Sequence, residues 1–239
     1  MHARRTSASR ASPNKLLARL PAADYRRLLS VLDTISLPFQ HVLLKPGEAA
    51  QTVYFPGDGA CSITQVMRNG RTVEVATVGN EGFIGINALF GGERVLGGAL
   101  VKVPDGAAQA MSATAFQREM NRRGPFSKVI NRYAQVFVAF LMQSVACNAL
   151  HSVDQRCARW LLTTRDRAGH NEFPLTQEFL AVMLGVRRPS VTLAVGALQR
   201  AGLIDYGHRR VVIVDRAGLE AASCECYAVI KRHFARLLS

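Results

Sequence analysis

The stretch "LGVRRPSV", Leu184 to Val191, sets two guanidinium groups, Arg187 and Arg188, beside a proline at the head of an amphipathic run. Proline is tolerated in a first helical turn, where its missing N–H would be unpaired anyway. Side chains at such a turn suit a polyanion. Arg188 can donate in bidentate fashion to guanine O6 and N7, while Leu193 or the Thr192 methyl can touch a thymine methyl. Arg187, Ser190, Thr176 and Gln177 suit phosphate contacts, which fix register rather than read sequence. Downstream, "GHRR" offers His208 and Arg209 between two short strand-like runs, extending the basic surface.

Other reactive side chains point less clearly to chemistry. Cys224 and Cys226 stand two apart in "SCECY", with His233 one helical face further on. Thiols that close could bind metal or sense oxidant. On a continuous helix, however, positions two apart point in different directions, so both are expected to be small buried groups and no metal site is assigned. Only Cys61 precedes the long helix described below, against the four or so ligands an iron–sulfur cluster needs. His41 is the only histidine between Ser36 and Thr114, weak evidence for haem and too little for a metal enzyme with several converging ligands. No cofactor and no enzymatic activity are expected.

The elements that must position these groups follow from texture. With 239 residues and 49% hydrophobic content, the chain can build one large domain or two modest ones. Its formal net charge is +13, from 30 basic against 17 acidic residues, which favours contact with a polyanion. No run of about 18 apolar residues is evident, so no membrane span is expected. Residues 1–14 are basic and Ser-rich without an apolar core behind them, and are expected to form a disordered tail rather than a signal. Five cysteines, odd in number and irregular in spacing, suit free thiols in a reducing cytoplasm.

Helical spacing marks 15–32, with a break at Pro21. From about Ser36 to Thr114, short runs such as "TVYF", "CSITQVM" and "TVEVATV" alternate with Gly, Pro and Asn turns, predicting an antiparallel barrel or sandwich. "RNGRT" is a hairpin signal, and "EGFIGINALFGG" a helix-like insertion. After Pro125 comes a long helix without Gly or Pro, on which Phe126, Ile130, Tyr133, Phe137, Phe140, Ser144 and Cys147 recur at steps of three and four. Such a seam can be the spine of one core. Following a β domain, it is expected to pair with its own copy. A helix over "HSVDQRCARWLLTTRDRAG", two helices about "LGVRR", the "LIDYGHRRVVIV" hairpin and a final helix complete the chain.

Three helices and a hairpin after a dimer helix describe a winged helix-turn-helix, whose second helix places its N-terminal turn in the major groove. In this order and in "LTQEFLAVMLGVRRPSVTLAVGALQRAGLI" above all, the chain resembles the Crp/Fnr transcription regulators from about Lys15 to Ile213. The resemblance implies an α+β architecture: a β-roll sensor at 15–124, a dimerisation helix at 125–152 and a winged helix-turn-helix at 153–239. It places the recognition turn on Arg187, Arg188, Pro189 and Ser190, with a further base-facing position at Leu193. Apolar residues at Pro189 and Leu193, where the cyclic-AMP receptor has charged readers, imply a different operator.

The sensor half departs from the pattern. Where the family's phosphate cassette has Gly-Glu, Gly85 is followed by Ile86. The expected arginine-plus-hydroxyl pair falls near Leu96 and Gly97, and Arg94 is the only arginine of the loop. A buried cyclic phosphate without a cationic partner would carry a large desolvation cost, so a cyclic nucleotide is not expected. Gly85, Ile86 and Arg94 remain the candidate effector pocket. The expectation is thus a homodimeric regulator of double-stranded DNA, with an unassigned effector and with RNA polymerase as a further partner. Two other readings share these features: a dimer needing no effector, and a sensor or scaffold whose C-terminal domain binds a protein.

Overall fold

The computed structural model describes residues 12–91, 94–104 and 107–239. Two short helices, α1 (Lys15–Ala18) and α2 (Ala22–Leu28), precede the strands, split at Pro21 as the sequence requires. Residues 1–11 of the expected tail lie outside the described residues, but 12–14 do not behave as a tail. Asn14 is fully buried: its side chain caps α1 and donates to Pro56 O and Gly82 O at 2.9 and 2.8 Å.

Among the described residues, seven strands form the roll: β1 (Asp33–Ser36), β2 (Val42–Leu44), β3 (Thr52–Pro56), β4 (Ala60–Val66), β5 (Thr72–Val78), β6 (Gly98–Val103) and β7 (Ala107–Ser112). They make two antiparallel sheets, ordered β1-β7-β3 and β2-β6-β4-β5. The "RNGRT" turn joins β4 to β5, with Gly70 at φ 78°. The glycine-rich insertion forms a 3-10 helix, Ile86–Phe90. β7 is "AAQAMS" and carries no β-branched residue; its pairing with both β1 and β3 makes it a strand despite weak propensity.

Helix α3 (Ala113–Asn121) leads to α4 (Pro125–Leu150), which opens with Pro125 in its first turn. The face of α4 expected to meet a second copy is spent inside the protomer. Phe126, Ile130, Tyr133, Phe137 and Phe140 are each at most 6% exposed and belong to the roll's own core; Ser144 is buried too. Phe83 packs between Tyr133 and Phe116, with centroids 5.0 and 5.5 Å away. Gly82 is required here, since a Cβ would lie 2.4 Å from the Tyr133 hydroxyl. The roll's apolar groove thus takes the most aromatic face of α4 and leaves another outward. By length and composition α4 could also cross a membrane, so the expectation that no segment qualifies is too strong. Its aromatic face is instead sealed by protein, and Arg132 and Gln135 lie exposed on other faces.

The rest comprises α5 (Val153–Ala168), β8 (Glu172–Pro174), α6 (Gln177–Leu184), α7 (Arg188–Arg200), β9 (Ile204–Gly207) and β10 (Arg210–Ile213). The wing is a three-stranded sheet, β8-β10-β9, where the sequence suggested two strands. The expected single final helix breaks at Ser223–Glu225 into α8 (Arg216–Ala222) and α9 (Cys226–Leu238). Ile230, Phe234 and Leu237 of α9 join the roll's core rather than the winged-helix core.

Candidate nucleic-acid interface

Thr176 caps α6, its hydroxyl oxygen accepting from Phe179 N at 3.1 Å. Leu180, Met183 and Leu184 face inward, and Gly185 closes the helix at φ 68°. α6 and α7 meet at 109°, within the range of a helix-turn-helix. On α7, Val191, Ala194, Val195 and Leu198 are buried against α5 and α6. This inward face dictates the outward one: Arg187, Arg188, Pro189, Thr192 and Leu193 are all exposed, Leu193 at 71%.

The exposed set is partly organised. Thr192 Oγ1 donates to Gln177 Oε1 at 2.6 Å, tying the two helices' outer edges. Arg188 Nε stands 3.9 Å from Glu178 Oε2, with both side chains about two-thirds exposed or more. A pair so exposed and so long holds Arg188 only loosely. Ser190 is half-buried.

His208 and Arg209 form the wing tip, at φ 49° and 62°. Both are exposed and both take the left-handed conformation of a two-residue hairpin turn that ordinarily selects Asn-Gly. The turn therefore presents two basic side chains where glycine would be the less strained choice.

The candidate effector residues lie near one another without sharing one lining. Arg94 lines an open cleft of about 750 Å³ with Lys45, Glu48, Thr52 and Tyr54, and its guanidinium donates to Gly47 O at 2.9 Å. Gly85 and Ile86 border this cleft without lining it: a Cβ at Gly85 would lie 3.2 Å from Thr52 O, and Asn87 Nδ2 donates to Arg94 O at 3.4 Å. Gly85 heads the 3-10 helix at φ 105°, and Ile86 packs on the core.

Between roll and winged helix lies a buried polar seam that the sequence did not announce. Arg167 Nε of α5 lies 2.7 Å from Glu81 Oε1, with both side chains under a tenth exposed. Lys102 Nζ of β6 reaches Glu74 Oε2 at 3.1 Å and Thr77 Oγ1 at 2.7 Å, and sits 4.1 Å from the Trp160 ring centroid. Burial pushes the Lys102 ammonium down to about 8, with Glu74 opposing. A Cβ at Gly185 would come within 3.0 Å of Val73 Cγ2, so the turn between α6 and α7 rests against β5.

A second group of reactive side chains assembles at the end of α4. Cys147, His151, Cys224 and Cys226 bring their ligand atoms within 4.8 Å of one another. Reading Cys224 and Cys226 as small buried groups accounts for their burial and not for this convergence. The available signal was Cys147 and His151, four apart on one helix face. His233 is not part of the group.

Residues 34–123 match the cyclic nucleotide-binding domain family, and 155–222 the Crp-like helix-turn-helix domain family. The transcriptional regulator SdrP of Thermus thermophilus is 25% identical over 204 residues, covering 81% of this chain and 95% of that protein. A Crp/Fnr-family protein from Eubacterium rectale superposes with a TM-score of 0.68 at 18% identity, over 87% of this chain and 96% of its own. FixK2 from Bradyrhizobium japonicum gives 0.68 at 17% identity, over 81% and 98%. At these identities the structural likeness is one of fold. Carrying a cyclic nucleotide-binding domain followed by a Crp-like helix-turn-helix domain, the chain belongs to the Crp/Fnr family of transcription regulators.

Proposed function

We propose that this DNA-binding regulator acts as a homodimer that reads one half-site with each α7. The observation that carries the reading is the outer face of α7. Arg187, Arg188, Pro189, Thr192 and Leu193 stand exposed on a helix whose other face is fully buried, in a chain of net charge +13. Arg188 is the base reader, with Leu193 on a thymine methyl. Arg187, Ser190, Gln177 and the Thr176 hydroxyl take phosphates, and His208 and Arg209 reach the backbone from the wing.

Dimerisation falls to the face of α4 that the roll leaves free. Gln135, Val138, Met142, Val145 and Ala149 are exposed at steps of three and four, the spacing of a coiled-coil seam. Val138, Met142 and Val145 are 51%, 69% and 71% exposed, more apolar surface than one solvated helix face ordinarily carries. Pairing two copies along this stripe places the recognition helices for half-sites one helical turn apart.

The sensor input reaches the output through the buried seam between Glu81, Lys102 and α5. An effector that binds one arrangement of this seam better than another shifts DNA affinity, and DNA shifts effector affinity equally. A cyclic phosphate is disfavoured as that effector. Gly85 and Ile86 supply no carboxylate, and Arg94 is engaged with Gly47 at an open cleft. Cytoplasmic action and contact with RNA polymerase belong to the same reading.

Selection of duplexes from a random pool by the purified full chain tests it. An enriched inverted repeat bound by two chains supports the proposal. An enriched asymmetric site bound by one chain would overturn the dimer, and no enrichment at all would overturn sequence readout.

A further inference from the structure

The break in the C-terminal helix turns two unremarkable thiols into half of a converging set. Were 216–238 one helix, Cys224 and Cys226 would point in different directions. Instead the chain leaves α8 at Ser223 and restarts at Cys226, so both sulfurs face the end of α4. There Cys147 and His151, one turn apart, meet them. Cys147 Sγ lies 3.5 Å from Cys224 Sγ, and Cys226 Sγ lies 3.7 Å from His151 Nδ1. All three cysteines are at most 3% exposed.

These distances have a chemical meaning. A tetrahedral ion with Zn–S bonds of about 2.3 Å and Zn–N bonds of about 2.0–2.1 Å separates two sulfurs by about 3.8 Å, and sulfur from nitrogen by about 3.6 Å. A disulfide would need its sulfurs at about 2.05 Å. A polynuclear iron–sulfur cluster hangs its thiolates on different irons and spreads them wider than this set. Three thiolates and one imidazole are a standard structural zinc donor set.

The surroundings support the ligands. His151 Nε2 lies 3.1 Å from Glu225 Oε2, which orients the ring with Nδ1 toward the sulfurs. Gln143 Nε2 donates to Cys226 Sγ at 3.0 Å. A divalent ion with three thiolates carries one net negative charge, and the Arg156 and Arg159 guanidiniums lie close enough to act on Cys147.

We propose that Cys147, His151, Cys224 and Cys226 bind one zinc-class divalent ion in a closed tetrahedral site that fastens α9 to the end of α4. The three thiols release their protons on binding, and no redox step is involved. The site stands at the joint between helix and output domain, since α5 begins at Val153, two residues after His151. Cys224 and Cys226 lie beyond residue 222, where the match to the Crp-like domain ends, so the ion would serve an appended segment. The inference does not depend on which residues read DNA.

The test uses the full chain, purified under reducing, chelator-free conditions, with metal content measured and Co2+ titrated into the stripped protein. The expected result is one zinc per chain, and with Co2+ the intense visible bands of tetrahedral thiolate coordination. Cys226→Ser abolishes the bands. Glu225→Gln, an exposed change that spares folding, weakens affinity by about 10-fold or more. Several results would overturn the proposal: no zinc retained and no tetrahedral spectrum in the wild-type chain, binding that survives Cys226→Ser, or a Cys147–Cys224 disulfide in place of metal uptake. The wild-type titration decides even where a variant fails to fold.

Discussion

Glu81 and Arg167 close the interface between roll and winged helix with a 2.7 Å ion pair, while the guanidinium carbon of Arg167 lies 5.5 and 5.2 Å from the Phe140 and Phe234 rings. One arginine therefore touches the roll, the long helix and the C-terminal helix together. Removing one partner of a buried pair strands the other charge and costs about 3–5 kcal/mol. Glu81→Gln should lower unfolding stability by that order in denaturant titrations, and Glu81→Gln with Arg167→Met should recover part of it. A loss in the double variant equal to the sum of the two single losses would show that the pair is not coupled.

Lys102 makes stability depend on alkaline pH. Its folded pKa is about 8, against an unfolded value of 10.5. Below about 8 both states carry the proton, and the burial cost is fully present. Between about 8 and 10.5 the folded chain releases it first, the unfolded chain binds more protons, and stability rises with pH. Relative to Lys102→Met with Glu74→Gln, the wild type should gain on the order of 1–3 kcal/mol across that window. Parallel curves for the two proteins would mean that Lys102 titrates normally.

At the wing tip, stability and binding should oppose each other. Replacing His208 and Arg209 by Asn-Gly relieves two left-handed residues and should stabilise the fold by about 1 kcal/mol. It also removes a phosphate contact, so DNA affinity should fall and its log–log salt slope should shrink by about one. Calorimetry and binding at several salt concentrations separate the two effects.

The two faces of α4 should fail differently. Met142→Glu, on the exposed stripe, should give a folded monomer by light scattering with its circular dichroism intact. Phe137→Ala, in the core, should cost about 3–5 kcal/mol of stability. A Met142→Glu protein that stays dimeric would move the interface elsewhere.

The two faces also show how far the sequence could be read. The period of α4 was plain from Phe126, Ile130 and Tyr133, but both faces repeat at steps of three and four. Which one goes inward is set by the roll's aromatic groove around Phe83, and a helix pattern does not contain that groove. Strands rich in Val and Ile were legible, whereas β7, built from Ala, Gln, Met and Ser, exists through pairing. The turn between α6 and α7 was legible because capping, Gly185 and Pro189 are local signals. The metal-type cluster was not, since Cys147 and Cys224 converge across 77 positions and only after a helix break.

Arg188 as a base reader is tested most directly by comparing wild type and Arg188→Ala on a selected operator and on unrelated duplex at one salt concentration. A bidentate contact to guanine predicts a loss of about 1–3 kcal/mol on the operator, relaxed preference at one base pair in each half-site, and a much smaller change on unrelated DNA. Equal affinity and unchanged preference for both proteins on the operator would contradict it.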